Sequence, residues 1–270
     1  MQYALVNNER STALPGLTGI CPACGSETIA KCGTQRVHHW AHRGSRTCDT
    51  WSEPETLWPR AWKEKFPNAW REFIRHDQSG EKHIADVYTG NGLTIEFQHS
   101  HLKPQERAAR EAFYGNMVWI VDGSRLKRDL PRFADGSSDF ARTPLGGIYT
   151  TGFPEEAFPR NWITSQAPVL FDFQDAIVPL ATSKRIVDPL WCLLPGRVLG
   201  KAIVLAVSRE DFLERANRES QPIQAEAISR NVSYLLAEQA RLNQDAQMRA
   251  LAIQNQPWRR KGVRRRYPRF

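Results

Sequence analysis

The sequence predicts an α/β protein whose middle runs helix, three strands, helix, strand (αβββαβ), between a small Cys/His module and an α+β extension ending in a helix and a basic tail. Three observations carry that expectation. Two β-rich runs, Ile84-Ala85-Asp86-Val87 and Ile95-Glu96-Phe97-Gln98, flank Thr89-Gly90-Asn91-Gly92, a strong hairpin signal. A charged helical stretch, Pro104–Tyr114, leads into apolar Met117-Val118-Trp119-Ile120-Val121, which reads as a buried strand. A Cys21-Pro-Ala-Cys24 knuckle sits in a histidine- and cysteine-rich first segment.

Composition narrows the class. With 41% hydrophobic residues and nine tryptophans in 270, the chain is globular rather than disordered. Its longest apolar run, 202–207, is far too short to span a bilayer, and the first residues carry no signal-peptide pattern. Five cysteines, an odd number, argue against a disulfide framework. The expectation is a cytoplasmic protein with no membrane partner.

Residues 1–50 read as a zinc-binding-like module. Cys21 and Cys24 reach one tetrahedral ion from a knuckle, and His39 and His42, spaced i, i+3, complete the set, with Cys32 and Cys48 as alternative ligands. A structural zinc would hold a short, loop-rich segment in shape without a large core. Cys192, in an apolar run, reads as a core residue.

Residues 51–123 form the expected core. A helix over Thr56–Phe66 tolerates Pro59 only inside its first turn. Strands follow over Ala69–Ile74, His83–Tyr88 and Leu93–Gln98, then the Pro104–Tyr114 helix and the Met117–Val121 strand, joined by a right-handed crossover. That order is the restriction-endonuclease-like one. A three-residue loop, Gly90–Gly92, would pair Thr89 with Leu93 and set Asp86 opposite Glu96. Both carboxylates and Gln98 then share one face while Leu93, Ile95 and Phe97 point to the core. An even-numbered loop without a bulge would split the acids across the sheet. Two convergent carboxylates on a rigid sheet suit a hard divalent cation, magnesium or manganese.

Residues 124–220 predict appended strands at Val169–Asp172, Leu190–Leu194 and Ala202–Val207 and a short helix at Glu210–Asn217; residues 221–256 predict a polar helix. A protein partner could use this stretch. In the tail, 257–270, Arg259, Arg260, Lys261, Arg264, Arg265, Arg266 and Arg269 supply seven of the net +8 charges, with Trp258 and Tyr267 between them. Such interleaving suits phosphate contact beside base stacking, so nucleic acid is the expected partner.

In order along the chain, Cys21-Pro-x-Cys24, His39-Trp40-Ala41-His42, Glu55-Thr56, Lys63, Ala85-Asp86-Val87, Ile95-Glu96-Phe97-Gln98 with Ser100, Glu106-Arg107, Tyr114 and Trp119-Ile120-Val121 resemble the CoiA-like competence protein family, over roughly residues 18–123. The resemblance implies a metal-dependent DNA nuclease of the PD-(D/E)xK type, linked to DNA processing during natural transformation. It implies a catalytic set of Glu55, Asp86, Glu96 and Gln98. Asp86 and Glu96 hold the cation, Lys63 stabilises transition-state charge, and Glu53 stands in reserve for Glu55. Two departures matter. Pro59 replaces the histidine the family commonly carries, and Gln98 stands where the wider nuclease group has lysine. Arg107, Arg110 and Tyr114, on one helical face, are candidates to touch bound DNA, or simply to pair within the helix. The alternative reading is a catalytically impaired DNA-binding or scaffold protein on the same fold; a weaker one is a zinc-dependent RNA-binding factor.

Overall fold

A computed structural model describes residues 1–44, 48–51, 55–174 and 189–254. Its first part is a five-stranded antiparallel sheet: β1 (Tyr3–Val6), β2 (Glu9–Thr12), β3 (Thr18–Ile20), β4 (Glu27–Lys31) and β5 (His39–His42), in the order β2-β1-β3-β4-β5. Sequence reasoning saw a loop-rich module here. The strands are short and lack strict alternation, and a single tryptophan, Trp40, 2% exposed, packs with Ala4 and Ala13 as their core. Gly19 lets β3 lie close to β1, since a Cβ there would meet the Leu5 carbonyl at 3.0 Å and the Ala4 Cβ at 3.1 Å.

The central order is the one expected: α1 (Leu57–Lys63), β6 (Arg71–His76), β7 (Lys82–Tyr88), β8 (Thr94–Gln98), α2 (Pro104–Tyr114) and β9 (Met117–Asp122). Pro59 occupies the third position of α1, where its missing N–H has no intrahelical partner to lose. The chain continues with α3 (Asp129–Gly136), β10 (Ala141–Arg142), β11 (Ile148–Thr151), α4 (Pro154–Ala157), β12 (Val169–Asp172), β13 (Pro189–Leu193), β14 (Ala202–Ser208), α5 (Arg209–Arg218) and α6 (Ala225–Gln254).

Strands β6 to β14 make one nine-stranded sheet in the order β10-β11-β14-β13-β12-β9-β8-β7-β6. Strands β8, β9 and β12 are mutually parallel and their other neighbours antiparallel. Because β12 pairs directly with β9, the sheet runs unbroken across residue 123. Both faces are covered, so the three parallel strands bury every residue: on β9, Val118 and Ile120 join the side of Trp62 (α1), Phe212 (α5) and Val232 (α6). Met117, Trp119 and Val121 join that of Tyr114 (α2), Phe133 (α3) and Ala157 (α4).

The first half of α6 packs on the sheet through Val232, Ile228 and Leu236, and its second half is exposed, including Leu242, Met248 and Leu251. Among the described residues, no helix is long and apolar enough to cross a membrane.

Candidate functional site

The hairpin register follows from its turn. Gly92 adopts φ +83°, a left-handed value that costs glycine little, and its N–H donates to the Thr89 carbonyl at 3.0 Å. The Thr89 N–H then donates to the Leu93 carbonyl at 2.9 Å, Tyr88 pairs with Thr94, and Val87 with Ile95. One step further, carboxylates take over from the ladder. The Asp86 N–H donates to Glu96 Oε1 at 3.2 Å, and the Phe97 N–H donates to Asp86 Oδ2 at 3.0 Å. The two acids are thus brought together and locked to backbone, as the three-residue loop requires.

A buried lysine closes the cluster. Lys63, at the end of α1, is 2% exposed; its Nζ lies 2.9 Å from the Glu55 carboxylate, 3.4 Å from Glu72 and 3.7 Å from Asp86. Glu55 also receives Arg60 Nε at 3.2 Å. Glu72 was not foreseen. It sits on β6 between the pairs Arg71–Val87 and Phe73–Ala85, opposite Asp86, with its own backbone in the left-handed region (φ +44°). Its carboxylate accepts the Gln2 N–H at 2.6 Å and the Tyr3 N–H at 3.1 Å. Helix α1 is itself anchored: the indole N–H groups of Trp58 and Trp62 donate to Asp172 Oδ2 at 2.9 and 2.8 Å, and Arg209 Nη2 reaches Oδ1 at 2.6 Å.

Charge is distributed unevenly over these acids. Burial works against ionised Glu72, but the Lys63 ammonium and the two N–H donors hold its carboxyl down to about 2. Burial pushes Asp86 up to about 6 despite Lys63 and the Phe97 N–H. Glu96, buried and beside Asp86, is pushed up to about 8 despite Arg110. Burial would discharge Lys63, yet Glu72, Asp86 and Glu55 raise its pKa and keep it protonated. The acids and Lys63 line a small cleft of about 70 Å³ with Pro59, Trp51 and Arg110.

The helix face offered for DNA turns inward instead. Arg107 and Arg110 are each 4% exposed. Arg110 binds Glu96 at 3.2 Å and the Trp51 carbonyl at 2.6 Å; Arg107 binds the Thr164 carbonyl and hydroxyl at 3.1 and 3.0 Å. Tyr114 is buried too. Each arginine also meets the glutamate four residues away, Arg107 with Glu111 and Arg110 with Glu106, which is the pairing within the helix given as the alternative to DNA contact. Gln98 shares the face of Glu96 but donates to the Ser100 carbonyl at 3.2 Å and lines a neighbouring cavity.

In the first sheet, Cys21, Cys24, His42 and Cys48 place their ligand atoms within 4.8 Å of one another. The Cys24 Sγ lies 3.3 Å from His42 Nε2 and the Cys21 Sγ 3.6 Å from Cys48 Sγ. His39 is excluded, its Nδ1 lying 2.9 Å from the Val37 carbonyl. The reason is geometric: β5 is a strand, and residues three apart on a strand face opposite ways. Cys32 packs beside Trp40. Three thiols and one imidazole are a donor set that fits zinc. Burial raises the Cys21 and Cys48 thiols, whereas Ser26 and His42 bring Cys24 down to about 6 against its own partial burial. Glu53 and the tail residues Arg259, Arg260, Lys261, Arg264, Arg265 and Arg266 lie outside the described residues.

The chain thus combines a Cys₃His cluster, a donor set that fits a metal ion, with a mixed α/β sheet and a cleft in which a buried lysine sits among carboxylates. Residues 17–50, which contain all four knuckle ligands, match the family model of the competence protein CoiA N-terminal domain. Over 144 residues the chain is 26% identical to Competence protein CoiA of Bacillus subtilis (strain 168), covering 48% of this chain and 38% of that protein. Both matches support the CoiA-like family, and the matched stretch spans under two fifths of the relative's length. No solved structure gives a significant match.

Proposed function

We propose that the chain is a divalent-metal-dependent deoxyribonuclease on a restriction-endonuclease-like core. The observation that carries this reading is the Asp86–Glu96 pair, inserted where the β7–β8 ladder ends and flanked by buried, charged Lys63. The pair fits a hard cation: both carboxyls are pushed upward by burial and by proximity to other acids, a stress that a divalent charge relieves. Magnesium needs only one or two protein carboxylates beside its waters, so Asp86 and Glu96 suffice. Once bound, such an ion supplies a Lewis acid for the phosphoryl oxygen and an acidified water.

The chain's own groups do the rest. Lys63 orients Asp86 and places a permanent positive charge where a phosphorane-like transition state would gather negative charge. Glu55 and Glu72 hold the Lys63 ammonium in place and act as its positioning residues. Arg110 holds Glu96 from the opposite side. DNA would approach through the open side of the cleft, with the basic tail adding sequence-independent affinity.

One observation favours the second reading, a DNA-binding protein that no longer cuts. Pro59 lines the cleft and brings no donor or ligand atom to it. The test is cleavage of linear, circular and single-stranded DNA with magnesium, manganese or EDTA, wild type against Asp86→Ala. Metal-dependent cutting lost in the variant supports the nuclease. DNA retention without cutting under any metal supports the binding protein.

A further inference from the structure

The parallel strands β8, β9 and β12 end at Gln98, Asp122 and Asp172, and beyond those ends lies a cavity of about 520 Å³. The carboxyl edge of parallel strands is where open α/β sheets seat ligands, because the connecting loops leave a crevice there. The volume is that of a small-molecule site.

Arg125, Arg128, Arg132 and Arg160 line it, brought together from the β9–α3 loop, α3 and the segment after α4. Three acids line it as well, and each is already engaged. Asp122 takes His99 at 2.8 Å and the Ser124 hydroxyl at 2.7 Å, Asp129 takes Arg132 at 2.8 Å, and Glu155 lies 3.8 Å from Arg197. Arg125, Arg128 and Arg160 form no ion pair among the described residues, and the four arginines of the lining outnumber its three acids. Arg132 meets Asp129 through one terminal nitrogen only, and its Nε is buried without a partner. A buried guanidinium N–H left unpaired is costly unless a ligand completes it.

Part of the lining is aromatic: Trp162, Phe171 and Phe173, members of the buried core, reach the cavity from the sheet and the segment after α4. Guanidinium groups recognise phosphate by paired N–H donation, and flat aromatic surface accepts a base. We propose that this cavity binds a phosphorylated nucleotide, its phosphate on the arginines and its base against the aromatic part of the lining. The nucleotide is either free or the 5′-terminal residue of a strand. The site is distinct from the Asp86–Glu96 cleft and stands whether or not that cleft cuts DNA.

Calorimetric titration of the full chain without added magnesium or manganese tests this, since no such cation then joins the two sites. The probes are deoxyadenosine monophosphate, deoxyadenosine, inorganic phosphate, and one single-stranded oligonucleotide with a 5′-phosphate or a 5′-hydroxyl. The expected result is that a phosphate-bearing probe binds, its unphosphorylated counterpart binds about tenfold or more weakly, and Arg125→Ala/Arg128→Ala loses about tenfold or more. Both arginines are exposed, and an unchanged melting curve confirms that the variant folds. Binding of the monophosphate assigns a free nucleotide; binding of the phosphorylated oligonucleotide alone assigns a strand end. The proposal is overturned if neither binds, if the double variant binds like wild type, or if inorganic phosphate binds as tightly as the nucleotide.

Discussion

Lys63 is where most of the cleft's charge converges: one ammonium, almost fully buried, within 3.7 Å of three carboxylates. Removing it as Lys63→Met strands those acids, and the expected loss is roughly 3–5 kcal/mol, the range for breaking a buried ion pair from one side. Urea denaturation measures it, and a loss under about 1 kcal/mol would mean that the acids reorganise freely. Glu96 sets a pH dependence. An unfolded glutamate titrates near about 4.3, and the folded one is pushed up to about 8, so between those values the folded chain binds more protons. This contribution to metal-free stability is present in full below the lower value and is lost as pH rises through about 8. Asp86, pushed up to about 6, acts in the same direction over a lower window. Glu72, held down to about 2, does the reverse: its contribution is present above the ordinary carboxylate range and is lost on acidification toward 2. Urea melts in EDTA at about pH 6 and about pH 8.5 should show the decline, and Glu96→Gln should flatten it. If the variant keeps the wild-type slope, another group is responsible.

Secondary-structure elements explain which residues the sequence revealed and which it hid. Asp86 and Glu96 were legible because a three-residue loop and a period of two fix a hairpin register from local residues alone. Glu72 was hidden because its role depends on β6 pairing beside Asp86 and on amides from the far end of the chain, neither of which has a local signature. His39 was preferred to Cys48 on an i, i+3 spacing to His42 that a turn or helix brings together and a strand does not, and the segment is a strand. Metal analysis checks that correction: Cys48→Ser should lose bound zinc, while His39→Ala and Cys32→Ser should retain it. For Arg107 and Arg110 the intrahelical alternative is present, with Glu111 and Glu106 one turn away; what the sequence could not announce are their further partners on β8, Trp51 and Thr164. For α1, the anchor lies over a hundred residues away. Asp172, 1% exposed, takes two indole N–H groups and Arg209. Asp172→Ala should cost about 3–5 kcal/mol by removing the buried acceptor that two indole N–H groups and the Arg209 guanidinium share. It should also shift tryptophan emission, as Trp58 and Trp62 lose their acceptor. Unchanged emission would show that α1 is held by packing alone.

At the scale of the molecule, the αβββαβ order was readable, and the unity of the sheet was not. The β9–β12 pairing joins residues expected to belong to separate regions, because parallel pairing leaves no turn in the sequence to announce it. The first sheet is tied to the core at several points: Arg10 donates to the Asn68 and Arg71 carbonyls, and Asp49 accepts His83 Nδ1 at 3.0 Å and the Ile84 N–H at 2.8 Å. Metal loss from the knuckle should therefore be felt globally. Cys24→Ser is expected to lower Tm by about 4 °C or more, given roughly 2–4 °C per kcal/mol for a chain of this size. A Tm equal to wild type would uncouple the two sheets.

The Glu72 bonds make that coupling audible. The amide protons of Gln2 and Tyr3 exchange with solvent only when the Glu72 carboxylate lets go of them, although 70 and 69 residues separate donor from acceptor. Two backbone amides at the start of the first sheet, those of Gln2 and Tyr3, are thus a natural microphone on the cleft. Whatever repositions Lys63, whether a cation at the neighbouring acids or a phosphate arriving above them, should be heard as a change in how fast those two protons trade places with deuterium.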